Sequence, residues 1–122
     1  METERKARRL AALLFACGIA GGATAAGTTP VKLTAQVGPG STITLKKGNL
    51  RVTTLKAGAY QISVRDRSNM HDFHLFGTGV NKSTSVAAVT TVTWKVTLRR
   101  GNYTFQCDPH KSTMKGTFQV TN

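Results

Sequence analysis

Apolar and polar residues trade places at every second position through most of this chain, and that period decides what it can become. Val92, Trp94, Val96 and Leu98 alternate with Thr93, Lys95 and Thr97. Tyr60, Ile62 and Val64 alternate with Gln61, Ser63 and Arg65, and Val31, Leu33, Ala35 and Val37 with Lys32, Thr34 and Gln36. Successive side chains of a strand point to opposite faces, so each run reads as a strand with one buried face. Ile43 and Leu45 extend the pattern through Thr42 to Lys46, Leu50 to Leu55 reads as a further strand, Tyr103, Phe105 and Cys107 as another, and Phe118 and Val120 mark the last. Gly38-Pro39-Gly40, Lys47-Gly48-Asn49 and Arg99-Arg100-Gly101-Asn102 punctuate them as turns. The Ser- and Thr-containing stretch Val80 to Thr91 suits a loop or an irregular edge strand. About seven strands without a helical period predict an all-β antiparallel sandwich. Ala57-Gly58-Ala59-Tyr60 and Arg100-Gly101-Asn102-Tyr103 echo each other as Gly-x-Tyr strand starts, without forming a true repeat.

A chain of 122 residues holds a single domain. Its beginning differs from the rest: Arg5, Lys6, Arg8 and Arg9 precede an apolar and small-residue run from Leu10 to Gly22. That is the order of a secretory signal, and the run is short of the roughly 20 apolar residues of a membrane span. Ala23-Thr24-Ala25 supplies an Ala-x-Ala cleavage site, so the expected division is a signal peptide over 1–25 and a domain over 26–122. Leu14-Phe15-Ala16-Cys17 is a competing lipoprotein box with Cys17 as the lipidated residue, though Phe15 fits it poorly. Cleavage before Ala26 leaves 13 of the 17 basic residues and three of the five acidic ones, and the net charge goes from +12 to +10. Such a balance suits an acidic protein partner, or anionic lipid or cell-surface polymer. Export and the lack of any nucleic-acid-binding motif argue against RNA and DNA.

Without Cys17, Cys107 stands alone in an exported domain, where cysteines are ordinarily paired. An unpaired cysteine is usually a small buried hydrophobe. Here His110 follows three residues later and Met114 four beyond that. Thiolate, imidazole and thioether on one short loop suit copper. Two further histidines lie in Met70-His71-Asp72-Phe73-His74-Leu75. In an extended segment His71 shares a face with Phe73 and Leu75, which belong in the core, and His74 points the other way. Parity therefore selects His71 as the partner of the loop and leaves His74 as an exposed or partly packed side chain. Met70 is expected to pack rather than to ligate, and Trp94 to serve the core rather than relay electrons.

Tyr103, Phe105, Cys107, Pro109, His110, Met114, Gly116, Phe118 and Val120 together resemble the carboxy-terminal signature of the small blue-copper proteins, the cupredoxins, nearest to the plastocyanin and pseudoazurin branch. The resemblance implies a Greek-key sandwich of seven to eight strands, and one type 1 copper ion held by His71, Cys107, His110 and a weak axial Met114. Two departures are visible: three residues rather than four separate His110 from Met114, and Asp72 stands where the family commonly has an asparagine that ties the two ligand loops together. An ionised Asp72 accepts hydrogen bonds but cannot donate them, and its charge favours Cu(II). The functional expectation is an exported, monomeric one-electron carrier meeting a redox partner with an acidic docking surface. The alternative is a copper chaperone or store. An enzyme using Cys107 and His110 as nucleophile and base is disfavoured, since no orienting acid is evident.

Overall fold

The computed structural model describes residues 29–122; the expected signal peptide, its cleavage site and Cys17 lie outside them. Ten strands build two five-stranded sheets. In chain order they are β1 (Val31–Val37), β2 (Ile43–Lys47), β3 (Leu50–Arg51), β4 (Thr54–Lys56), β5 (Gly58–Asp66), β6 (His74–Gly77), β7 (Val80–Ser83), β8 (Thr90–Leu98), β9 (Gly101–Gln106) and β10 (Lys115–Thr121), with a 3-10 turn at Asp108–His110 between the last two. The first sheet runs β3-β2-β1-β5-β8 and the second β4-β10-β9-β6-β7. The predicted sandwich is thus present, and two of its pairings, β1 with β5 and β4 with β10, are parallel.

The alternation seen in the sequence becomes the core. Leu33, Ala35, Val37, Leu45, Ile62, Val64 and Leu98 face inward from the first sheet; Leu75, Tyr103, Phe105, Phe118 and Val120 face them from the second, all of them buried. Ring stacking continues the packing, with Tyr103 on Phe118 at 5.2 Å and Phe73 on Phe105 at 5.6 Å between centroids. Gly116 is small because the Phe105 ring lies where a Cβ would stand.

One segment differs from expectation. Leu50 to Leu55 is not one strand: β3 pairs with β2 in the first sheet, whereas β4 pairs with β10 in the second. The chain changes sheets at Val52 and Thr53, burying Val52 and leaving Leu50 75% exposed. The stretch from Val80 supplies β7 at a sheet edge, followed by a loop.

The Gly-x-Tyr echo also has a structural cause. Both copies sit where the chain passes from one sheet to the other, from β4 to β5 and from β8 to β9. Gly58 and Gly101 take φ of 156° and 149°, conformations other residues avoid. Each tyrosine hydroxyl then reaches back four residues, Tyr60 donating to the Lys56 carbonyl at 2.6 Å and Tyr103 to the Arg99 carbonyl at 2.7 Å. Tyr103 also accepts the Arg99 N–H at 2.9 Å. These are tyrosine corners, which pin the crossing of a strand between sheets. They lie at one end of the sandwich, where β1 begins. The other end carries the long connections 38–42, 67–73, 84–89 and 107–114.

Candidate metal centre

The site lies among those long connections. His71 comes from the segment leading into β6, and Cys107 and His110 from the loop between β9 and β10. Cys107 is fully buried, His71 nearly so at 6% exposure, and His110 is exposed. The Nδ1 atoms of His71 and His110 are 3.1 Å apart, and the Cys107 Sγ stands 3.5 Å from each. The rings meet nearly edge to face, 70° between planes. A triangle with those sides has its centre about 2.0 Å from every corner, which is the length of a metal–nitrogen bond. Two imidazole nitrogens and a sulfur converging on one such point form a trigonal donor set suited to copper. The histidine that parity selects is the one the fold brings beside Cys107 and His110.

Met114 is buried at 1% exposure, and its backbone belongs to the same unit. The loop is drawn shut by Cys107 N–H to Met114 O at 3.0 Å, His110 N–H to Cys107 O at 3.0 Å and Met114 N–H to His110 O at 2.8 Å. These bonds turn the shorter spacing between His110 and Met114 into one compact turn. Met70 departs from expectation: its N–H is donated to Ser68 Oγ, the turn carries it outward, and it is 64% exposed rather than packed.

Two polar ties hold the two ligand segments in register, and a third anchors the His71 segment to the β7–β8 connection. Asp72 Oδ1 accepts the Asp108 N–H at 2.7 Å, so a carboxylate makes the link for which an asparagine was expected. Burial pushes the Asp72 carboxyl up; the Asp108 amide draws it back, and the Asp108 charge adds to the rise. His74 is the second tie, with its Nδ1 2.9 Å from Asp108 Oδ1 and its Nε2 2.6 Å from Asn81 Oδ1. Both ring nitrogens face acceptors, an environment made for the doubly protonated ring. Burial alone would lower the His74 pKa, but the hydrogen bonds to Asp108 and Asn81 outweigh it and hold it above the usual histidine value. Burial would likewise raise Asp108, yet hydrogen bonds from Gln106 and His74 keep it below the ordinary carboxylate range.

The third tie joins residues that no sequence pattern linked. Asp66, buried at the end of β5, accepts the Thr84 hydroxyl at 2.7 Å; Thr84 Oγ1 accepts the Phe73 N–H at 2.9 Å, and the Thr84 N–H goes to the Phe73 carbonyl at 3.0 Å. The β7–β8 connection thereby clamps the backbone two residues after His71. A buried carboxylate with an apolar neighbourhood needs such partners, and a lone Asp at the end of an alternating strand was the only available hint.

Burial pushes the Cys107 thiol up, against hydrogen bonds from the Asp72 and His110 amides, with the Asp72 charge adding to the rise. A metal must therefore displace a tightly held proton.

The family model of copper binding proteins of the plastocyanin/azurin family matches residues 29–121. Among solved structures, an oxidised amicyanin mutant aligns at 16% identity over 79% of this chain and 88% of that one, with a TM-score of 0.47. A reduced amicyanin mutant aligns at 17% identity over the same shares, with a TM-score of 0.45. A multicopper oxidase aligns at 15% identity over 73% of this chain and 40% of that one, with a TM-score of 0.43. A search of curated proteins found no match.

Proposed function

The chain belongs to the plastocyanin/azurin family of copper-binding proteins, and on that premise we propose that it is an exported one-electron carrier whose type 1 copper is held by His71, Cys107, His110 and an axial Met114. The observation that carries this reading is the triangle of two Nδ1 atoms and one Sγ, 3.1 to 3.5 Å apart, inside a frame already tied shut. When bound, copper supplies a centre that takes up and releases one electron.

The protein's part is to hold the donors still. Asp72 and His74 fix the two segments against each other and Thr84 anchors the backbone after His71, so little has to move between oxidation states. Cys107 gives up its thiol proton on binding, and both histidines must present a neutral Nδ1, so affinity falls in acid. His110 turns its Nδ1 inward while remaining exposed, which leaves its outer ring edge as the path to a partner. Asp72 places a negative charge beside the centre and favours the oxidised state. Lys111 and Lys115 flank the loop and suit an acidic docking surface on a redox partner.

The test is titration with Cu(II), followed by absorption and electron paramagnetic resonance. A carrier develops an intense thiolate-to-copper band and exchanges electrons with a rate that falls as salt rises through 0.15 M, where the screening length is about 8 Å. Lys111→Glu with Lys115→Glu slows transfer to an acidic partner without changing the spectrum. Tight Cu(I) binding with no blue Cu(II) form would instead establish a chaperone or store.

A further inference from the structure

The end of the sandwich opposite the ligands has a charge pattern that copper binding does not use. Among the described residues the acidic side chains are Asp66, Asp72 and Asp108, and all three lie at the ligand end. The opposite end carries Lys47 and Arg51 on the β2–β3 hairpin, Lys56 at the close of β4, and Arg99 and Arg100 between β8 and β9. Lys32, Lys46 and Lys95 extend this field onto the adjoining outer face of the first sheet, where cross-strand partners put Lys32 and Lys95 on either side of Gln61. Eight cations are thus gathered in one half of the domain, away from the described acidic side chains.

At one edge of this field, on the outermost strand β3, is an apolar side chain facing solvent. Leu50 sits opposite Lys47 in the hairpin, with Lys46 opposite Arg51 beside it, and is 75% exposed. Residue 29 precedes β1 by two positions at this same end.

We propose that this end docks on an anionic lipid surface, with Leu50 at the acyl boundary and the lysines and arginines among the headgroups. Electrostatic attraction and partial burial of one apolar residue are the two contributions that hold a peripheral protein on a membrane. A soluble polyanion would satisfy the charges but would gain nothing from Leu50. Docked in this way, the domain stands with its ligand end and the exposed edge of His110 turned away from the bilayer. The contact requires no metal, so it stands or falls separately from the copper reading.

The experiment measures sedimentation of the copper-loaded full chain with vesicles of phosphatidylcholine, with and without phosphatidylglycerol. Residues 1–28 are common to every variant, so differences between variants report the domain. Lys47→Gln with Arg51→Gln is expected to weaken partition onto the anionic vesicles about 25-fold, roughly fivefold for each cation near the surface. Lys111→Gln with Lys115→Gln makes the same change in net charge at the ligand end and is expected to alter partition by less than about twofold. Leu50→Ser should cost about fivefold on anionic vesicles, consistent with half-burial of a leucine. The blue band, read in each variant, reports folding and copper loading independently. Equal losses from the two charge pairs, or a partition indifferent to Leu50→Ser, overturns the proposal; the latter together with undiminished retention on polyphosphate assigns the face to a polymer.

Discussion

The two ends of this sandwich are built on different principles. The end where β1 begins closes with short connections: at most two residues separate β2 from β3, β4 from β5 and β8 from β9. Two tyrosine corners pin the sheet crossings there, each by a side-chain hydroxyl that donates to a backbone carbonyl only four residues earlier. The ligand end closes with longer connections, and these are fastened by particular side chains: Asp66 to Thr84, Asp72 to the Asp108 amide, His74 to Asp108. One end is closed by tight turns and local bonds; the other holds donor atoms in place through a few polar contacts between distant residues. Separating those tasks lets the donors be held rigidly without every turn of the fold being committed to them.

The largest expected effect belongs to the ligand end. Cys107→Ala abolishes the thiolate-to-copper band, while His74→Ala leaves it nearly unchanged and His71→Ala bleaches it or converts it to an ordinary Cu(II) spectrum. Absorption spectra of the three variants check this, and a Cys107→Ala protein that stays blue would break the assignment.

Thr84→Val sharpens the contrast, because it strips Asp66 of a hydroxyl and Phe73 of an acceptor without touching a ligand. We expect a loss of about 2 kcal/mol in denaturant unfolding, the cost of leaving buried polar groups unpaired, together with weaker copper binding. Stability lost with copper affinity intact would show that the β7–β8 connection does not position His71.

Tyr103→Phe is the counterpart at the opposite end. Loss of its hydroxyl should cost about 1 to 2 kcal/mol in the same measurement and leave the copper spectrum unaltered. A changed spectrum would mean that the two ends are mechanically coupled.

The smallest effect is a pH dependence. His74 is raised in the folded state, so its contribution is fully present below the unfolded histidine pKa of about 6.5 and disappears as pH rises through the folded value. Asp108 is lowered, so its contribution is present above the unfolded carboxylate range and disappears as pH falls through its folded value. An ion pair exposed to this degree is worth less than about 1 kcal/mol. The stability of the metal-free protein against unfolding should therefore fall slightly from pH 6 to 8, and His74→Asn should flatten that slope; an identical slope in the variant would remove His74 as its source.

How far the sequence reaches follows from which interactions are local. Alternation marked the inward face of most strands because side-chain direction in a strand depends only on the residue's own position. Cys107, His110 and Met114 were legible together because they share one loop, and His71 because its parity matches Phe73 and Leu75. The Leu50 to Leu55 stretch was misread as a single strand, since its pattern is equally satisfied when Val52 and Leu55 are buried in a chain that changes sheets between them. Only the folded chain decided that Asp72 would bond to the amide of Asp108, that Thr84 would clamp Phe73 and that His74 would find Asp108. Those partners lie 36, 11 and 34 residues apart, and a hydrogen bond between distant residues leaves no period in the sequence, because its geometry exists only after both sheets have packed.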